Sequence, residues 1–131
     1  MKKILVGFLI TASVLMADLQ HVWTTTSFVN RDIKIIDIRT PNEWRATGIV
    51  KDSHTIMFFD ERGNYNIPLF LRKLNKVIKR GEQFALICRT GSRTGMLAPF
   101  LSDRIGYNVI NLRGGIMKLM YEGYKTSPYS N

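Results

Sequence analysis

One thiol and two guanidinium groups fall in a single short string, Cys88-Arg89-Thr90-Gly91-Ser92-Arg93-Thr94, and Cys88 is the only cysteine of the chain. A thiolate is a strong nucleophile, and cationic neighbours favour it over the thiol. Small residues between Cys88 and Thr94 let backbone N–H groups turn inward as a nest. A nest that ends at a helix N-terminus is an anion site. The chemistry expected of Cys88 is therefore nucleophilic attack on an anionic substrate. Elsewhere a lone cysteine is a small buried hydrophobe, so the case rests on what surrounds it. Arg89 is a candidate for binding the anion or a solvent-facing side chain. Arg93 either binds substrate or pins the loop through carbonyls or an acidic partner such as Asp37. Gly91 supplies a position of positive φ or of close backbone approach.

The flanking segments say what must hold that string. Phe84-Ala85-Leu86-Ile87 is an unbroken apolar run, as expected of a strand buried on both faces of a parallel sheet. Gly95 to Leu101 begins to read as a helix, predicted over about Thr94 to Ile105, with Pro99 bending it or absorbed near its first turns. Cys88 then lies at the carboxyl end of a strand, where open α/β sheets place their chemistry. Ile33 to Ile38 reads as a second strand, with Asp37 and Arg39 at its end as supporting residues. Thr40-Pro41-Asn42-Glu43 has the form of a capping box with proline at the first helical position. There Glu43 and Trp44 read as structural. A short strand is expected within Ser53 to Phe59. Leu71, Leu74, Val77 and Ile78 recur at helical spacing in Ile67 to Ile78. A last strand is expected over Asn108 to Asn111 and a last helix up to Tyr121. Asp18 to Asn30 gives no clear signal, and Gly123 to Asn131 reads as a loose tail. Strands alternating with helices argue for an α/β domain around a parallel sheet.

The chain of 131 residues has room for one domain, with 45% hydrophobic residues and a formal charge of +9. No nucleic-acid motif and no run of five basic residues accompanies that charge, so most of it reads as a solvated surface. His21 and His54 have no ligating neighbours at metal spacing.

Residues 1–17 read as a secretory signal peptide. Lys2 and Lys3 precede an apolar core from Ile4 to Met16, and Ala17 offers a cleavage site before Asp18. The run is short of the roughly 20 residues that span a bilayer. An uncleaved anchor or a buried first helix are the alternatives. Cleavage would leave residues 18–131 as one mature domain of formal charge +7, since two of the 19 basic residues go with the leader. The expected location is the periplasm or outside the cell, with no stable membrane anchor. A single cysteine in an exported chain points to a reactive thiol or an intermolecular bond.

The string Cys88 to Thr94 resembles the active-site loop of the rhodanese (sulfurtransferase) family. That family's loop runs six residues from its cysteine, as Cys88 to Arg93 does, whereas relatives acting on phosphate or arsenate carry one residue more. Ile36-Asp37-Ile38-Arg39-Thr40-Pro41-Asn42-Glu43-Trp44 is similar to the first family signature, with Ile49 and Ser53 where histidine and alanine are usual. Gly106-Tyr107-Asn108-Val109 and Asn111-Leu112-Arg113-Gly114-Gly115-Ile116 resemble the C-terminal signature, with Leu119 where tryptophan is frequent. The resemblance covers about residues 33–119 and implies an α/β fold with a central parallel sheet of about five strands flanked by helices on both faces. It implies ping-pong transfer of a sulfane sulfur from thiosulfate or polysulfide to cyanide or a thiol, through a persulfide on Cys88. Loop residues Arg89, Thr90, Gly91, Ser92, Arg93 and Thr94 would cradle that persulfide. No metal, flavin or nicotinamide is implied. The partners expected are a small anionic sulfur donor and a thiol or protein acceptor, with no nucleic acid. A sulfur-carrier or protein-interaction module is the alternative, and a phosphatase or arsenate reductase is disfavoured by loop length.

Overall fold

The computed structural model describes Gly7 and residues 17–130. The expected leader, apart from Gly7 and Ala17, therefore lies outside the described residues. Five strands form one parallel sheet: β1 (Leu19–Trp23), β2 (Lys34–Asp37), β3 (His54–Thr55), β4 (Gln83–Ile87) and β5 (Asn108–Arg113), in the order β1-β5-β4-β2-β3. Helices α1 (Thr26–Val29), α2 (Pro41–Thr47), α3 (Ile67–Val77), α4 (Ser92–Phe100) and α5 (Gly115–Tyr121) connect or follow them. This is the α/β architecture expected. No helix among the described residues is long and apolar enough to cross a membrane.

Alternation along the central strands explains the two-layered core. Phe84, Leu86 and Cys88 face one side, with Val109 beside them and Phe70, Leu74, Leu97 and Leu101 of the covering helices above. Ala85 and Ile87 face the other side, where Phe28, Ile116 and Leu119 pack. Successive side chains of a strand point to opposite faces, so an uninterrupted apolar run fits a strand covered twice. Leu86, Ile87, Leu74 and Leu119 are all fully buried, and each such side chain contributes about 1.5–3 kcal/mol.

Helix α2 starts as its box demands. Thr40 accepts from the Glu43 amide, the Glu43 side chain accepts from the Thr40 amide, and Pro41 opens the first turn. Helix α4 begins at Ser92, two residues before the expected start, because Gly91 takes a left-handed φ of 98° and turns the chain directly into it. Pro99 neither ends nor sharply interrupts the helix. The chain widens after Phe100 into a single π turn, Leu101–Ile105, closed by the Gly106 amide on the Leu101 carbonyl at 3.0 Å.

Two segments differ from expectation. Leu19–Trp23 is an edge strand; its side chains are largely exposed, so neither a continuous apolar run nor a clean alternation marks it. The tail is not loose up to Tyr129. Ile49 and Ser127 exchange backbone hydrogen bonds of 2.8 Å each, Thr126 Oγ1 donates to the Thr47 carbonyl at 2.6 Å, and Tyr129 packs its ring on Trp44. These contacts follow α2 and its exit, so they are non-local and leave no periodic trace.

Candidate active site

Cys88 stands at the end of β4 and is fully buried. Its Sγ accepts from the Gly91 amide at 3.2 Å and lies 3.6 Å from Thr94 Oγ1, whose hydroxyl also reaches the Gly91 carbonyl at 3.2 Å. The backbone thus curls around the sulfur. The first amides of α4, those of Ser92, Arg93 and Thr94, have no acceptor within the helix, as at any helix start. Thr94 is buried, whereas Arg89, Thr90 and Ser92 are exposed around the mouth.

The loop is also held from behind. The Cys88 carbonyl accepts from the Ile116 amide at 2.9 Å and the Arg89 carbonyl from the Met117 amide at 3.1 Å. Gly115, with φ of 60°, lets α5 approach that closely: a Cβ there would lie 2.4 Å from the Arg89 carbonyl oxygen. Only glycine fits a left-handed backbone with no room for a side chain.

Arg93 resolves one of the two alternatives left open by the sequence, and with a different partner. Its guanidinium donates to both carboxylate oxygens of Glu43, at 2.6 and 2.7 Å. Asp37 is instead engaged by Arg39. That pair is wholly buried, with Arg39 Nη2 donating to Asp37 Oδ2 at 2.8 Å and to the Gly48 carbonyl at 2.9 Å, and Trp44 Nε1 donating to Asp37 Oδ1 at 3.1 Å. Asp37 and Arg39 therefore fix the end of β2 and the exit of α2. Glu43, which reads from sequence as a cap alone, ties the start of α2 to the start of α4. Its partner lies 50 residues along the chain, beyond any local signal. Among the described residues no cluster of three metal-ligating side chains occurs.

The Glu43–Arg93 bridge predicts a pH dependence. The hydrogen bond from Arg93 is the main cause holding the Glu43 carboxyl below its ordinary 4.5, burial opposes it, and the charge and cap contributions add to the lowering. The same bond is the main cause raising Arg93 above its ordinary range. A carboxyl with a depressed folded pKa stabilises fully above its unfolded pKa and loses that contribution as pH falls through the folded value. Glu43→Gln should therefore be less stable than the parent at pH 7, by on the order of 1 kcal/mol for a partly buried bidentate pair. The difference should shrink as pH falls below about 4.5. Urea midpoints from pH 7 to pH 3 check this; a constant difference would show that the charge of Glu43 is not what matters.

The rhodanese-like domain model matches residues 24–121. The chain belongs to the rhodanese-like domain family. An uncharacterized protein of Rickettsia prowazekii (strain Madrid E) is 29% identical over 104 residues, which cover 73% of this chain and 82% of that protein. SSP1007 of Staphylococcus saprophyticus is a structural neighbour with a TM-score of 0.57 at 24% identity, over 77% of this chain and 95% of that one. RPA3614 of Rhodopseudomonas palustris, described as a possible tyrosine phosphatase, has a TM-score of 0.54 at 22% identity, over 80% and 83% of the two chains. At these identities the two structural likenesses speak for the fold alone. In this rhodanese-like chain the matched stretch begins at Thr24, leaving β1 outside it.

Proposed function

We propose that this rhodanese-like protein is a sulfurtransferase that carries sulfur as a persulfide on Cys88. The observation that supports this most is a single thiol, at the carboxyl end of a central strand, with the Gly91 amide directed at its sulfur. In the first half-reaction the Cys88 thiolate attacks the outer sulfur of thiosulfate or a polysulfide. A sulfur–sulfur bond forms to Cys88, the donor's own sulfur–sulfur bond breaks, and sulfite or a shortened polysulfide leaves with the electron pair. In the second, cyanide or a thiolate takes the outer sulfur and Cys88 thiolate returns. Preorganised amides such as that of Gly91 stabilise anionic charge on sulfur without reorganisation. The chemistry needs no metal or redox cofactor, because sulfur changes carrier with no external electron donor or acceptor.

A phosphatase reading, suggested by the Rhodopseudomonas relative, fits less well. The loop from Cys88 to Arg93 has the length associated with sulfur rather than with phosphate or arsenate. The guanidinium of Arg93, which would have to bind a phosphoryl group, is bonded on both arms to Glu43.

We further propose an exported location, with a mature chain starting at Asp18. One measurement addresses both proposals. Intact mass of the native protein should correspond to a chain beginning at Asp18, and incubation with thiosulfate should add ~32 Da, one sulfur, to a species with reactive Cys88. A native mass that includes Met1 or Lys2 would overturn the export proposal. No gain with thiosulfate or polysulfide would overturn the transferase.

A further inference from the structure

Four arginines lie near the cradle, and two of them are neutralised. Arg93 is held by Glu43 and Arg39 by Asp37. Arg89 and Arg113 are both exposed, and among the described residues neither has a carboxylate within ion-pair distance. The positive charge a ligand meets at the mouth is therefore that of Arg89 and Arg113, because Arg93, the second arginine of the loop string, is paired with Glu43.

Arg113 is the last residue of β5, and the strand fixes its direction. Val109 packs in the cluster that contains Cys88, whereas Ile110 and Leu112 pack on the opposite side of the sheet. Alternation then gives Arg113 the same face as Cys88. Its backbone touches the loop: a Cβ placed on Gly91 would lie 3.5 Å from Arg113 Cα. The Arg113 carbonyl is clamped by buried Thr24, through the amide at 2.9 Å and the hydroxyl at 2.7 Å. A rooted backbone with a free guanidinium, at the rim of an anion cradle, has the form of a recognition residue.

We propose that Arg113 binds the sulfur donor together with Arg89, and that the pair favours dianionic donors of the thiosulfate class. The inference rests on the sulfurtransferase reading and deepens it. When Cys88 attacks thiosulfate, a dianion must approach an anion; the new sulfur–sulfur bond forms as sulfite departs with its electron pair, and total charge is unchanged. Two exposed guanidiniums, Arg89 of the loop and Arg113 beside it, offset the repulsion of that approach. A planar guanidinium also matches the oxygens of a sulfonate-like group.

The test compares wild type, Arg113→Ala and Arg113→Lys, by the rate at which Cys88 gains sulfur at low donor concentration. One donor is thiosulfate; the other is methanethiosulfonate anion, which passes on the same sulfur and releases methanesulfinate but carries a single charge. Coulomb attraction across about 7 Å of water gives roughly a sevenfold loss for the dianion in Arg113→Ala and its square root, roughly threefold, for the monoanion. Arg113→Lys should recover most of the rate, and added salt should narrow the gap between wild type and Arg113→Ala. A structural role for Arg113 would slow both donors equally and would not respond to salt. Equal losses for the two donors, or no loss at all in a wild type that loads normally, would overturn the assignment of Arg113. A wild type that loads from neither donor would instead overturn the transferase reading on which it rests.

Discussion

Cys88→Ser is expected to fold as the parent does and to transfer no sulfur. The hydroxyl is slightly smaller than the thiol and can still accept from the Gly91 amide and meet Thr94 Oγ1, so no buried group loses its partner. The stability cost should stay within about 1–2 kcal/mol. Chemistry fails for a separate reason. A serine hydroxyl with no adjacent general base is a far weaker nucleophile than a thiolate, and oxygen cannot carry the sulfur as a persulfide. Transfer from thiosulfate to cyanide should fall below detection, more than about 10³-fold, while thermal unfolding changes little. A folded serine variant with turnover near that of wild type would remove Cys88 as the carrier.

The largest effect on stability is expected from Arg39→Met. Arg39 is the bulkiest completely buried side chain among the described residues. Its removal strands the carboxylate of Asp37 in the core and leaves the Gly48 carbonyl and Thr47 hydroxyl short of a donor. Breaking one half of a buried ion pair costs about 3–5 kcal/mol. For a domain of this size that lowers Tm by roughly 10 °C or more. Activity should fall with it only in proportion to unfolded protein, since neither Arg39 nor Asp37 touches the sulfur. Asp37→Asn combined with Arg39→Met should regain part of the loss, because the unpaired charge is gone while Trp44 Nε1 keeps an acceptor. A single variant within about 1 kcal/mol of wild type would show that the pair is no linchpin of the exit from β2.

What could be read from the sequence follows the range of the forces involved. The β4 run, the cap at Thr40 and the thiol before a glycine turn are local, and each is written within ten residues of chain. Strand β1 is stabilised by pairing with β5, 90 residues away, so its own residues carry no pattern that requires a strand. The same holds for the tail, fixed by contacts to α2, and for the Glu43–Arg93 bridge. The sequence offers Asp37 as the acid for Arg93 because both belong to the site's neighbourhood. The fold assigns Asp37 to Arg39, two residues on, whose backbone amide and guanidinium both donate to its carboxylate. Helix α4 starts earlier than its apolar residues suggest because a left-handed glycine, rather than hydrophobic spacing, decides where it begins.

The strand order has a consequence for how the molecule is made. Strand β5 lies between β1 and β4, so the first strand of the chain has no neighbour until the last strand is in place. The carbonyls of Cys88 and Arg89 likewise wait for the amides of Ile116 and Met117. A chain emerging from the ribosome, or threading through a membrane pore from its N-terminus, holds the Cys88 loop without the backing of α5 for as long as its last ~20 residues are missing. Loop closure over such distances is the slow part of folding. The rear support of the Cys88 loop is thus acquired together with the closed sheet, late in the making of the chain.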